Sequence, residues 1–383
     1  MQSLAPSAAP TSPVITSDEF YSSPDSKRDS ERQYHIFFIT GNPGLISYYH
    51  TFLACLSNSL RSPSALFHVF GVSLKGFLEN NVTRPSTQQK DGAVGTGPPY
   101  SLEDQIEYVE GRLWRYARER GQHEIEKSPS DGNVKQCRVK IILMGHSVGS
   151  YILLELLRRH RLPASQANNG HLDIVGGILL FPTVTHIAKS PSGQKFTALS
   201  KIPNFAAIVG MLARVLTAVI PSGFLHHLIK LITRFPDEAA KTTAEFLQSR
   251  TGVQQALCMA QDEMTTITED CWDDEVWGAA SDRSKGANLS YPKLIFYFGQ
   301  NDNWVADHTR DDLIAARGDS PDQNEGWRPR MMIDETGIPH GFSIRHSAPV
   351  AEKTSEFIME IVGAFEGKEA QSSLASSTEQ HLP

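Results

Sequence analysis

The chain has 383 residues, of which 40% are hydrophobic, ample for a buried core in one large domain or two ordinary ones. A formal charge of −7, with no Lys/Arg stripe gathered on any segment, excludes a nucleic-acid surface. Cys55, Cys137, Cys258 and Cys271 lie far apart without C-x-x-C or Cys/His ligand spacing, so they read as reduced thiols of an intracellular protein, not as a disulfide framework or a zinc site.

Residues 1–32, rich in Ser, Pro and charge, read as a disordered tail with no basic start and no apolar stretch of secretory-signal length, which leaves the sequons at Asn81 and Asn288 without weight. A first core segment, 33–182, begins with a buried strand over Tyr34–Ile39. The turn Gly41-Asn42-Pro43-Gly44, a helix over Ser47–Leu60 and a strand over Phe67–Val72 follow. The aperiodic stretch 80–100 reads as a tolerated loop insertion. Ser101 with Asp104 three residues on then opens a helix to about Arg120.

Next come an apolar strand from Val139, the tight turn Gly145-His146-Ser147-Val148-Gly149, a helix to about Arg161, and a buried strand over Leu172–Phe181. A strand that breaks into a helix at a single Ser lifts that hydroxyl above the sheet edge. Only glycine fits on either side of so sharp a turn, and the first free N–H groups of the helix point at the same spot.

Residues 183–288 interrupt the alternation and read as a helical cap over the carboxyl edge of the sheet. Core features resume over 289–366: a strand over Lys293–Phe298, a helix near Thr309–Arg317, a strand near Arg328–Ile333 and a helix over about Val350–Phe365. Residues 367–383 read as a second disordered tail. Apolar strands alternating with amphipathic helices predict an α/β fold, a mostly parallel sheet with helices on both faces.

A serine nucleophile needs a base and an acid to fix that base, and in this architecture they follow in the order Ser, acid, His. Asp302, in G-Q-N-D-N-W-V, stands at the carboxyl end of one strand, and His340, in I-P-H-G-F, follows the last strand. Asp307 is the nearest rival acid and reads as a helix cap; His346 and His308 are rivals to His340. His146 reads as a packing neighbour within the turn. The predicted oxyanion donors are the backbone N–H groups of Val148 and, because Pro43 has none, Asn42.

Within the cap, residues 204–220 carry one charge, Arg214, and Pro221-Ser222-Gly223 breaks the chain before a second apolar arm, so 204–232 reads as a hydrophobic helical hairpin. At ~1.5 Å per residue its first arm spans about 25 Å, short of the ~30 Å hydrocarbon core, which disfavours an untilted crossing. Two readings stay open: lid helices over a pocket, or a hairpin lying in a lipid interface through Phe205, Ile208, Leu212, Val215, Val219, Phe224, Leu225 and Leu228, with His226, His227 and Lys230 toward headgroups.

The stretches F-I-T-G-N-P-G-L-I-S-Y-Y, G-H-S-V-G-S-Y, L-L-F-P-T with S-P-S-G, Y-F-G-Q-N-D-N-W-V and I-P-H-G-F together resemble the lipid droplet-associated hydrolases, a serine-hydrolase family of the α/β-hydrolase fold. The resemblance implies that Ser147, Asp302 and His340 form a triad hydrolysing sterol esters or acylglycerols. It also implies peripheral residence on lipid droplets and the cytosolic face of the endoplasmic reticulum, and it favours the interface reading of the hairpin. A droplet tether with vestigial activity, and an acyltransferase or thioesterase using the same triad, remain alternatives. No nucleotide or metal motif is present, and the chemistry requires no cofactor.

Overall fold

The computed structural model describes residues 12–24, 32–60, 62, 65–78, 97–127, 138–161, 172–278, 292–319 and 328–379. Most of the 80–100 insertion, both sequons and Cys137 lie outside them. The described residues form an eight-stranded sheet: β1 (Val14–Ile15), β2 (Glu19–Ser22), β3 (Arg32–Ile39), β4 (Ala65–Val72), β5 (Val139–His146), β6 (Leu172–Leu180), β7 (Lys293–Gly299) and β8 (Arg330–Asp334). Their spatial order is β1-β2-β4-β3-β5-β6-β7-β8. Pairing is parallel from β4 through β8, while β1 and β2 add an antiparallel edge.

The central strands carry no polar face because both sides are covered. In β3, Tyr34, Ile36 and Phe38 point into one apolar layer, and Phe37 and Ile39 into the other. The first layer is closed by α1 (His50–Ser59) and α10 (Ser347–Glu379), the second by α2 (Leu102–Lys127) and α3 (Val148–His160). This two-sided burial is why the parallel strands read as continuous apolar runs. Helix α9 (Asp307–Arg317) links β7 to β8.

Both predicted tails need correction. Residues 12–24 belong to the sheet: β2 pairs with β4 from Glu19↔Val72 to Ser22↔Val69, and Phe20 is fully buried. So short an apolar signal is submerged in Ser/Pro-rich composition, and the sheet rather than local propensity holds it. At the other end α10 continues to Glu379, beyond the expected stop near Phe365, and Lys140 pairs with Glu369 at 2.9 Å.

Between β6 and β7 the described residues hold five α-helices: α4 (Pro191–Leu199), α5 (Phe205–Ala218), α6 (Ser222–Thr233), α7 (Asp237–Gln248) and α8 (Gly252–Thr266). Helix α8 is tied to the core. Gln255 exchanges two hydrogen bonds with the Tyr100 backbone at 2.6 and 2.8 Å, and Asp262 accepts the Leu102 N–H at 3.0 Å. Helices α6 and α7 share a separate small cluster of Leu225, Ile229, Ala240 and Ala244.

Candidate active site

At the end of β5 the backbone turns through Ser147 with φ 54° and ψ −125°. Such a conformation at a non-glycine residue costs on the order of 1–3 kcal/mol and persists only where its surroundings enforce it. A Cβ on Gly145 would lie 2.4 Å from the Gly149 carbonyl oxygen, and one on Gly149 would lie 2.5 Å from that of Ile39. Strand, turn and helix therefore close up only with hydrogen at both positions. The Ser147 N–H still donates to the Leu180 carbonyl at 3.0 Å, pinning the turn to the end of β6.

The structure brings the three predicted groups together. His340 Nε2 lies 2.9 Å from Ser147 Oγ, and His340 Nδ1 lies 2.6 Å from Asp302 Oδ2. A carboxylate only accepts, so Nδ1 carries the ring proton of the neutral imidazole and Nε2 accepts the Ser147 O–H. The second Asp302 oxygen accepts the Trp304 N–H at 2.8 Å, which sets the carboxylate's orientation. Among the rivals, Asp307 opens α9 and pairs with Arg310 at 2.7 Å, His308 is exposed, and His346 immediately precedes α10.

His146 does more than pack. Its Nε2–H donates to the His340 carbonyl at 3.0 Å, which leaves Nδ1 to accept the Tyr49 O–H at 2.7 Å. The Tyr49 hydroxyl in turn accepts the Gly41 N–H at 3.1 Å. Burial drives the pKa of His146 well below its ordinary value, His340 nearby adds to the effect, and the bond to the His340 carbonyl does not reverse it. The neutral ring thus links the Gly41 turn, the Ser147 turn and the His340 loop. Asp334, at the end of β8, stiffens that loop by accepting from Ile338 N–H, Thr336 O–H and Tyr297 O–H, each at 2.8 Å. Burial would raise the Asp334 pKa, but the hydrogen bonds outweigh it and the carboxyl sits below its usual value. In sequence, D-E-T-G reads only as a turn, so this role had no signal.

Ser147 and His340 open onto a cavity of about 370 Å³ walled by Phe196, Phe246, Val253, Leu257, Ala260 and Trp304. Asn42 and Glu263 share its lining, and Val148 is the first residue of α3. The Asn42 amide donates at 2.9 Å both to the Ala256 carbonyl and to Glu263 Oε1 on α8. Glu263 is buried, and burial pushes its pKa up to about 8, aided by Asp262 and opposed by the Asn42 hydrogen bond. It went unnoticed in the sequence because one acid on an amphipathic helix reads as solvated.

Helices α5 and α6 bend by 113° at their break, and among the described residues no single helix is long and apolar enough to cross a membrane. Ile208, Leu212, Val215, Val219 and Phe224 are exposed, as are Met211, Leu216, Leu231 and Ile232. The hairpin face needs three corrections. Leu225 is buried against α7, Leu228 is half-buried, and Phe205 is half-buried against Phe196 with ring centroids 6.2 Å apart. A pattern of apolar residues cannot reveal which side of a helix meets a neighbouring cap helix. Lys230 pairs with Asp237 at 2.9 Å, and His226 lies 3.3 Å from the same carboxylate.

Comparison with known proteins places this geometry in context. Residues 32–343 match the family model described as lipid-droplet associated hydrolase. The lipid droplet-associated hydrolase of Gallus gallus is 27% identical over 345 residues, 87% of each chain, and that of Mus musculus is 26% identical over 328 residues, 84% of each chain. Among solved structures, the peroxisomal alpha-beta-hydrolase Lpx1 of Saccharomyces cerevisiae shares the fold with a TM-score of 0.51 at 12% identity, covering 100% of this chain and 96% of that one. The chain has the α/β-hydrolase fold, is a hydrolase, and belongs to the lipid droplet-associated hydrolase family.

Proposed function

We propose that the protein is a serine carboxylic ester hydrolase acting on hydrophobic esters, sterol esters or acylglycerols, at a lipid droplet surface. The observation that carries this reading is the unbroken chain Ser147–His340–Asp302, at 2.9 and 2.6 Å, opening onto an apolar cavity. Ser147 Oγ attacks the ester carbonyl while its proton passes to His340 Nε2, and Asp302 stabilises the imidazolium through Nδ1–H. The backbone N–H groups of Val148 and Asn42 receive the oxyanion. His340 returns the proton to the departing alcohol, and water, activated by the same imidazole, releases the acid from the Ser147 ester. Alcohol in place of water turns the same intermediate to acyl transfer.

The exposed face of the α5–α6 hairpin supports a peripheral seat on a droplet, and by the same reading on the cytosolic face of the endoplasmic reticulum. Residues of a hairpin that enters a monolayer and returns keep their backbone groups paired inside helices. A fluorophosphonate probe is expected to label the wild type and not Ser147→Ala, with hydrolysis of emulsified esters lost in parallel. Labelling that persists in Ser147→Ala would assign a different nucleophile, while droplet effects that persist in Ser147→Ala would favour a tether instead.

A further inference from the structure

We propose that Glu263 is a positioning residue: as a neutral carboxylic acid it forms a two-bond acid–amide pair with Asn42, and so fixes the Asn42 backbone N–H beside Ser147 as an oxyanion donor. The inference rests on the reading of Ser147 as nucleophile and extends it from the core into the cap.

Three observations carry it. Asn42 Nδ2 spends both hydrogens on α8, one on the Ala256 carbonyl and one on Glu263 Oε1, at 2.9 Å each. These partners stand seven positions apart, two turns along one face of the helix, so the side chain lies along α8. Asn42 Oδ1 is buried with no hydrogen-bond partner among the described residues. An orphaned buried acceptor is costly, and a protonated Glu263 supplies the O–H it lacks. Helix α8 is itself held to the core by Gln255 and by Asp262, so the pair anchors the Asn42 turn to a fixed element.

The setting keeps the proton in place. The cavity wall around Glu263 is apolar, and its pKa is pushed up to about 8. The titratable groups near it are Asp262, the preceding residue on α8, and His340, which lines the same cavity. Ionisation of Glu263 removes the O–H of the pair and puts a negative charge on the cavity where the oxyanion forms, and so governs an alkaline limb.

The test uses the full chain and a soluble short-chain ester. Glu263→Gln keeps both hydrogen bonds, as an amide–amide pair, and cannot ionise. It is expected to hold kcat within about threefold at pH 7 and to lose the alkaline fall expected of the wild type near pH 8. Glu263→Leu breaks the pair and is expected to lower kcat by about 10²-fold, the scale of one oxyanion donor, with KM changed less than about threefold. A single cooperative unfolding transition well above the assay temperature shows that the variants fold. Infrared difference spectra are expected to show the neutral-acid carbonyl band in the wild type and not in Glu263→Gln, whether or not Ser147 is present. Wild-type kcat in Glu263→Leu, or the same alkaline limb in wild type and Glu263→Gln, overturns the inference, as does absence of the infrared band. Hydrolysis surviving in Ser147→Ala overturns the nucleophile reading instead, while the infrared result still decides the Asn42–Glu263 pair.

Discussion

At Ser147 the local sequence and the backbone conformation meet most directly. A left-handed φ of 54° at a serine needs hydrogen at Gly145 and Gly149, and those glycines are visible in the sequence. His340 and Asp302 depend on more distant support. His340 is steadied by His146 through its carbonyl and by Asp334 through Ile338 N–H, while Asp302 is oriented by Trp304. Because the groups of such a chain act as a unit, His340→Ala is expected to lower kcat on the order of 10³-fold or more, and Asp302→Asn on the order of 10⁴-fold by favouring the wrong imidazole tautomer. Steady-state kinetics on a soluble ester check both.

Glu263 also has a thermodynamic signature at this scale. Its folded pKa of about 8 lies above the ordinary 4.5, so between these values the folded state holds a proton that the unfolded chain has released. Stability therefore falls as pH rises from about 4.5 to 8 and levels off above, by an amount on the order of 5 kcal/mol. Glu263→Gln is expected to remove that slope, and urea unfolding of both proteins at pH 5 and pH 8 measures the difference.

At the scale of elements, the cap divides in two. Helix α8 is bound to the core by side-chain and backbone hydrogen bonds, whereas α5 and α6 present apolar side chains outward, Val219 being 85% exposed. Composition alone left lid and interface readings of 204–232 open because both use apolar helices. The structure distinguishes residues facing the cap, such as Leu225, from those facing out, such as Val215 and Leu231. A charge at an outward position leaves cap packing intact but opposes entry into hydrocarbon. Val215→Asp with Leu231→Asp is expected to release the protein from droplets in flotation assays while leaving kcat on a soluble ester within about twofold. Loss of soluble activity with retained flotation would assign this face to the lid instead.

At the scale of the whole molecule, the antiparallel β1–β2 edge closes the sheet beside β4, which would otherwise present an open row of backbone groups. Phe20 lies fully buried in the layer that also holds Phe38, Phe52 and Phe67. Phe20→Ala is therefore expected to destabilise the protein by about 3–5 kcal/mol, measured by urea unfolding, where a residue in a disordered tail would cost nothing.

The parallel α/β architecture was legible in the sequence because strands buried on both faces must be apolar throughout, as in Phe37–Ile39 and Ile141–Met144, and because glycines must flank a serine in so tight a turn. Asp302 and His340 could be named from their places after strands, since the carboxyl edge of a parallel sheet collects the loops that follow those strands. Tertiary structure alone decided which partners those residues keep. His146, Tyr49, Asp334 and Glu263 act through neighbours up to 221 positions away, and no local pattern encodes a hydrogen bond closed by folding. The same holds for β2 and for Leu225: burial is a property of two surfaces, and one segment of sequence specifies only its own.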